Sequence, residues 1–308
     1  MQHVKAFVLR HFEVSVVVVL VLATAFAVLF ADNRLAFLNF FYIPTLVAAY
    51  FLGRKQGVLV AVVGVLMVWV YAIPDPTRFG ESAEQALVSL FLWGAFVIVT
   101  AFVVGTLYEF KKSAVDDLRQ AYQGILAILA KFIDAVDSYT QEHSMRVSGL
   151  AAKIAERMGL PESDIESVRV AGLLHDIGKI DVSLDVLRKA SVLDDSEWAQ
   201  VRTHPTKGTA LLQPVGGLLS DVVPLVECHH ECFDGSGYLG KKGAEIPLGA
   251  RILAVADSYD AMVCDRPYRT GRTPAEALKE VERCSGTQFD PTVVDAFKSV
   301  MHLELEYA

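Results

Sequence analysis

The residues of this 308-residue chain with the means to do chemistry gather from residue 143 onward. Five of its eight histidines stand there beside other polar groups: His143, His175 of the doublet His175-Asp176, His204, and the adjacent pair His229-His230. The doublet interrupts Ala171-Gly172-Leu173-Leu174-His175-Asp176-Ile177-Gly178-Lys179, a run whose apolar residues belong in a core. Burying an imidazole and a carboxylate among leucines is costly unless each finds a strong partner, and a divalent metal ion is one. A structural His–Asp pair would also account for an isolated dipeptide. The pattern recurs, however, in Ala250-Arg251-Ile252-Leu253-Ala254-Val255-Ala256-Asp257, an apolar helix that delivers a second carboxylate. His3, His11 and His302 lie near the chain ends in no such setting.

Five imidazoles and two carboxylates exceed what one tetrahedral zinc ion uses. Two octahedral ions sharing a bridging carboxylate and a bridging water would use them all, so two divalent ions are expected. Nitrogen and oxygen ligands without an evident thiolate suit iron or manganese, with zinc or nickel also able to bind by affinity. Cys228 and Cys232 flank the histidine pair and offer an alternative, a zinc knuckle, which would leave the other histidines without a role. Together with Cys264 and Cys284 they show neither a disulfide framework nor paired CxxC spacing, which suits a reducing cytoplasm.

The segments that must position these residues read as helices. Gly159-Leu160-Pro161, Gly178, Pro205, Gly216-Gly217 and the glycine-rich stretch 234–243 punctuate apolar periodic runs, and the expected fold class is all-α. Upstream, uncharged apolar stretches at 14–31, 35–52, 56–74 and 86–108 are each long enough for a helix to cross a bilayer. They account for a mean hydropathy of +0.38 and a 53% hydrophobic composition, high for a soluble chain. No polar region or small-residue cleavage site follows the first stretch, so it is expected to stay as an anchor rather than leave as a signal peptide. Asn39 and Pro44 in the second stretch mark either a ligand site or a kink that neighbouring helices satisfy.

Charge gives the orientation. Lys5 and Arg10, Arg54 and Lys55, and Lys111 and Lys112 fall on one side of the four stretches, which places both termini in the cytoplasm by the positive-inside rule. Six Lys/Arg and five Asp/Glu lie before Tyr108, leaving 22 and 31 of the chain's 28 and 36 for the acidic remainder. An acidic region argues against sequence-independent binding of DNA or RNA, which needs many cations to displace phosphate counterions. From Leu107, apolar residues at Phe110, Ala114, Leu118, Ala121, Ile125, Ile128 and Phe132 continue an amphipathic helix out of the fourth stretch. That stripe is expected to pair two chains as a parallel coiled coil, the alternative being that it packs on its own second half.

Over 134–297 the chain resembles the HD-GYP phosphodiesterases, a branch of the HD metal-dependent phosphohydrolases. The ordered series that carries the resemblance is Asp137-Ser138-Tyr139-Thr140, His143-Ser144-Met145-Arg146-Val147, His175-Asp176 with Gly178-Lys179, Thr203-His204-Pro205 and His229-His230-Glu231. It continues through Asp234-Gly235-Ser236-Gly237-Tyr238, Ala256-Asp257-Ser258-Tyr259-Asp260-Ala261, Arg266-Pro267-Tyr268-Arg269 and Gln288-Phe289-Asp290-Pro291. The resemblance implies that His143, His175, Asp176, His204, His229, His230 and Asp257 are metal ligands, with Asp176 as the bridge. It implies that Lys179 is a catalytic lysine and that Arg266 and Arg269 hold substrate phosphates, a task that suits guanidinium forks; surface ion pairs are the plainer role for those two arginines.

The implied reaction is hydrolysis of the bacterial second messenger cyclic di-GMP to linear pGpG or GMP at a net positive centre that attracts an anionic phosphodiester. Hydrolysis of another nucleotide, and a receptor that binds cyclic di-GMP without cutting it, are the alternatives. Two departures from the family pattern stand out. The signature Gly-Tyr-Pro is Gly237-Tyr238-Leu239 here, so the loop loses proline's fixed φ. Tyr139 stands where some relatives place a glutamate for a third metal, which favours two ions. The expected organisation is a four-helix transmembrane sensor or anchor over 1–107, a connecting helix able to form a coiled coil over 108–133 and a hydrolase over 134–308. The expected partners are the nucleotide, the lipid bilayer of the bacterial inner membrane, a second copy of the chain, and diguanylate cyclases or effector proteins.

Overall fold

A computed structural model describes residues 12–31, 34–80, 82–136, 142–189, 191–265 and 270–306. The architecture is all-α: the described residues contain no strand, only an isolated bridge between Ser285 and Phe289. The chain divides into two compact units, Met1–Gln120 and Ala121–Ala308.

The first unit is built from α1 (Phe12–Phe30), α2 (Arg34–Phe51), α3 (Arg54–Ala72) and the start of α4 (Ala83–Val136). All four are long and apolar enough to cross a membrane. Their core mixes aliphatic and aromatic side chains, among them Leu38, Phe41, Ala61, Leu90 and Trp93, while Phe26, Leu59, Phe91 and Phe96 are exposed. A 3-10 turn at Leu38–Phe41 interrupts α2, and the Trp93 indole N–H donates to the Leu38 carbonyl across 3.2 Å. The irregularity near Asn39 and Pro44 thus has its polar group satisfied by a neighbouring helix, as apolar surroundings require.

In the second unit, Leu126, Ala130 and Ile133 of α4 join a core with α5 (His143–Arg157), α6 (Glu162–Leu174), α11 (Leu248–Val263) and α13 (Pro291–Glu306). Short helices α7 (Leu184–Leu187), α8 (Asp195–Val201), α9 (His204–Leu212), α10 (Val223–Cys228) and α12 (Pro274–Arg283) complete it. The stripe of α4 that packs is therefore not the one with the regular three- and four-residue spacing; Leu118, Ile125, Ile128 and Phe132 are exposed. The helix ends follow local chemistry. After α5, Gly159 takes a left-handed φ of 75° and the Leu160 N–H reaches back to the Ala155 carbonyl, a Schellman stop, before Pro161 opens the way into α6. Capping boxes start α8 (Asp194 with Glu197) and α12 (Thr273 with Glu276).

Candidate metal centre

All seven residues expected to bind metal are described, and the second unit brings them together as two clusters. His143, His175 and Asp257 form one, and His204, His229 and His230 the other; within each, the candidate ligand atoms lie within 4.8 Å of one another. Asp176 stands between them. Its Oδ2 is 3.4 Å from His175 Nε2 and its Oδ1 is 3.3 Å from His204 Nε2. Neither cluster contains a cysteine, and Cys228 is instead buried beside the Lys241 ammonium at 3.2 Å. Arg266 and Arg269 lie outside the described residues, as does Tyr139.

Three of the candidate ligands sit at helix ends for a physical reason. The last carbonyls of a helix lack intrahelical partners, and three histidines use them: His175 Nδ1 donates to Gly172 O (2.8 Å), His204 Nδ1 to Val201 O (2.7 Å) and His229 Nδ1 to Val226 O (2.6 Å). A carbonyl only accepts, so each Nδ1 carries a proton and Nε2 is the nitrogen that each ring turns toward the centre. Gly178 lets the doublet's turn approach α9, since a Cβ there would lie 2.0 Å from the His204 carbonyl oxygen.

These Nε2 atoms converge on one another and on the carboxylates. His204 Nε2 and His229 Nε2 are 3.3 Å apart, a spacing that suits two nitrogens sharing one cation. His175 Nε2 is buried without a hydrogen-bond partner, while carboxylate oxygens of Asp176 and Asp257 stand 3.4 and 4.0 Å away. An orphaned imidazole nitrogen facing two carboxylates fits a divalent ion.

The electrostatics agree. Burial, together with the neighbouring His230, His175 and His204, drives His229 well below the usual histidine range, and burial takes His230 down to about 4. Burial also lowers His204 despite the attraction of Asp176. These three are therefore neutral and ligand-ready at pH 7. Burial would raise Asp176, but the Lys179 ammonium 2.7 Å from Oδ2 and the surrounding imidazoles hold it well below the carboxylate range. Asp257 is held low in the same way, against burial, by His143 and His175.

His143 differs. Burial pushes it down, but hydrogen bonds to Asp257 and Asp260 outweigh this and raise it to about 10. Its Nδ1 lies 2.7 Å from Asp260 Oδ2, and Arg146 grips the same carboxylate through Nε (2.6 Å) and Nη2 (2.9 Å). Sequence reasoning assigned no role to Asp260 or Arg146. The available signal was spacing, since Asp260 follows Asp257 by three residues and shares its helix face.

Known proteins match the second unit of the chain. A family model described as an HD domain matches residues 127–293. A cyclic di-GMP phosphodiesterase of Thermotoga maritima is 39% identical over 175 residues, 56% of this chain and 48% of the relative. One of Pseudomonas aeruginosa is 41% identical over 162 residues, 52% of this chain and 39% of the relative. A 3′3′-cGAMP-specific phosphodiesterase of Vibrio cholerae is 36% identical over 180 residues, 58% of this chain and 39% of the relative. The chain thus spans half or less of the length of these curated relatives.

Proposed function

Because this chain belongs to the HD-domain family, we propose that it is a metal-dependent phosphodiesterase that hydrolyses cyclic di-GMP to pGpG or GMP. The observation that carries the reading is Asp176, which turns one oxygen to each histidine cluster while Lys179 stands 2.7 Å from the second oxygen. His143, His175 and Asp257 would hold one ion, His204, His229 and His230 the other, and Asp176 both. Their nitrogen and oxygen donors suit iron or manganese ahead of zinc or nickel. Bound there, two divalent ions supply Lewis acidity to a phosphate oxygen and lower the pKa of water toward neutrality.

The chain's own residues supply the rest. Asp176 and Asp257, both held ionised, balance part of the cationic charge and leave a centre that attracts a phosphodiester. The Lys179 side chain is only 15% exposed, so its ammonium acts in a poorly solvated site. It is placed to carry charge to a phosphate oxygen or a proton to the departing ribose 3′ oxygen. Arg266 and Arg269 complete the reading as the guanidinium pair for the substrate phosphates.

The four apolar helices anchor the enzyme in the bacterial inner membrane, with both termini in the cytoplasm. In this reading 1–107 is the anchor, 108–133 the connector and 134–308 the hydrolase. Two anchored copies must run parallel, and the exposed stripe of Leu118, Ile125, Ile128 and Phe132 supports a homodimer through the connector. A second substrate, 3′3′-cGAMP, is favoured by the name of the Vibrio cholerae relative.

The deciding experiment incubates the full chain in detergent with Mn2+ and equal concentrations of the two cyclic dinucleotides, and follows both by chromatography. Cyclic di-GMP is expected to disappear first. Preferential loss of 3′3′-cGAMP would select the second substrate, and both nucleotides bound but intact would make the protein a receptor.

A further inference from the structure

Four of the five clustered histidines are aimed by a hydrogen bond from Nδ1, to Asp260, Gly172, Val201 or Val226. His230 is the exception: among the described residues, no hydrogen bond orients its ring. Its neighbours are rings instead. The centroids of His229 and His204 lie 4.0 and 5.0 Å from its own, and that of Tyr238 lies 4.9 Å away with the planes tilted by 42°. An imidazole rotates in a broad well about χ2, so a ligand without a hydrogen bond needs packing to hold its nitrogen on target. Of the three neighbouring rings, only Tyr238 is not itself a candidate ligand.

We infer that Tyr238 is a positioning residue that braces the His230 imidazole and keeps the His204–His229–His230 cluster aimed at one metal ion. The inference rests on the metal reading above and gives the glycine-rich loop a task within it.

The loop is built to hold that brace. Glu231, next to His230 and only 4% exposed, accepts the Leu239 N–H at Oε1 (2.6 Å) and the Lys241 N–H at Oε2 (2.7 Å). One buried carboxylate thus clasps the backbone just beyond Tyr238. The approach requires glycine at 237, where a Cβ would come within 2.5 Å of Glu231 Cα. At the base of the loop, the N–H groups of Phe233 and Asp234 donate to the carbonyls of Gln288 and Thr287, and that of Gly243 to Phe233. The Arg202 guanidinium stands 5.6 Å from the Tyr238 ring centroid.

Leu239 has a part that the signature proline cannot play. Proline has no N–H, so the bond from position 239 to Glu231 exists only because leucine replaces it. This chain trades a fixed φ for a hydrogen bond to a buried carboxylate.

The test uses the full chain in detergent, with Mn2+ as probe and Tyr238→Ala, Tyr238→Phe and Glu231→Gln as variants. Mn2+ binding is read by equilibrium titration, and magnetic coupling between neighbouring ions by electron paramagnetic resonance. The native chain is expected to bind two coupled ions. Tyr238→Ala should keep one ion and bind the other about 10-fold or more weakly, with the coupled signal giving way to that of an isolated ion. Tyr238→Phe should behave like the native chain, because the ring and not the hydroxyl is the brace. Glu231→Gln keeps the Tyr238 side chain but replaces one acceptor oxygen by a donor and loosens the loop that carries it, so it should weaken the same ion and tests the loop independently of Tyr238→Ala.

Native affinity for both ions and an intact coupled signal in Tyr238→Ala and Glu231→Gln would overturn the inference alone. So would a Tyr238→Phe variant as impaired as Tyr238→Ala. A native chain that binds no Mn2+ would overturn the metal reading, and this inference with it.

Discussion

Replacing Asp260 with asparagine isolates the support of one candidate ligand without touching any ligand atom. Asp260 Oδ2 accepts from His143 Nδ1 at 2.7 Å and from Arg146 Nη2 at 2.9 Å, while Oδ1 accepts from Arg146 Nε at 2.6 Å. Asparagine keeps one acceptor and presents an amino group to at least one of these donors. The two donors do not suffer equally. The Arg146 side chain is 42% exposed and turns to water, whereas that of His143 is 7% exposed and has no substitute. The loss therefore falls on the orientation of His143. Removing such an outer hydrogen bond weakens metal binding about 10- to 100-fold, or about 1.4–2.7 kcal/mol.

Chelator competition with Mn2+ on the full chain measures the change, with the His204–His229–His230 ion expected to stay. The metal-free chain supplies a second readout. His143 is raised from its ordinary 6.5 to about 10, so its pairing with Asp257 and Asp260 contributes stability that is complete below 6.5 and lost as pH rises through 10. In Asp260→Asn the alkaline end of that window should move down. A folded Asp260→Asn chain with native Mn2+ affinity and an unshifted alkaline limb would refute the reasoning.

Three further outcomes are expected. Asp176→Asn cannot offer an acceptor to both clusters, and it should lower Mn2+ affinity by about 100-fold or more and abolish nucleotide hydrolysis; full turnover would remove Asp176 from its bridging place. Mn2+ affinity should rise about tenfold per pH unit between pH 7 and 9, because His143, raised to about 10, must release a proton while His229 and His230 are already neutral; a flat titration would contradict this. Asp290→Ala should destabilise the second unit by about 3 kcal/mol, since Asp290 caps α13 through Thr292 and pairs with the poorly exposed Arg251. Burial would raise the Asp290 carboxyl, but these contacts hold it low, so its contribution is complete above 3.8 and lost as pH falls further. Comparing thermal unfolding of variant and native chains at neutral and acid pH checks both the size and the sign.

Much of the centre was legible in sequence because burying a polar group is expensive. His175 and Asp176 inside an apolar run, and Asp257 at the end of another, had to meet strong partners; His175 and Asp257 share one cluster, and Asp176 stands between it and the other. The four apolar helices and the Gly159 stop were legible for equally local reasons, composition in one case and backbone sterics in the other. The connecting helix has two apolar faces, and only one was legible. Its regular stripe stood out in sequence and stays exposed, whereas Leu126, Ala130 and Ile133 pack because the shape of the second unit selects their face.

By itself, then, the sequence determined the fold class, the apolar helices and the donors available for metal, since each follows from the chemistry of residues near one another in the chain. Only the tertiary structure decided how the donors divide into two clusters, which nitrogen each imidazole presents and what aims it. Those properties depend on pairs such as His143 and Asp260, 117 residues apart and 2.7 Å from contact atom to contact atom. They depend equally on the Leu239–Glu231 bond, whose donor exists because of one residue type and whose acceptor is in reach because the loop folds back.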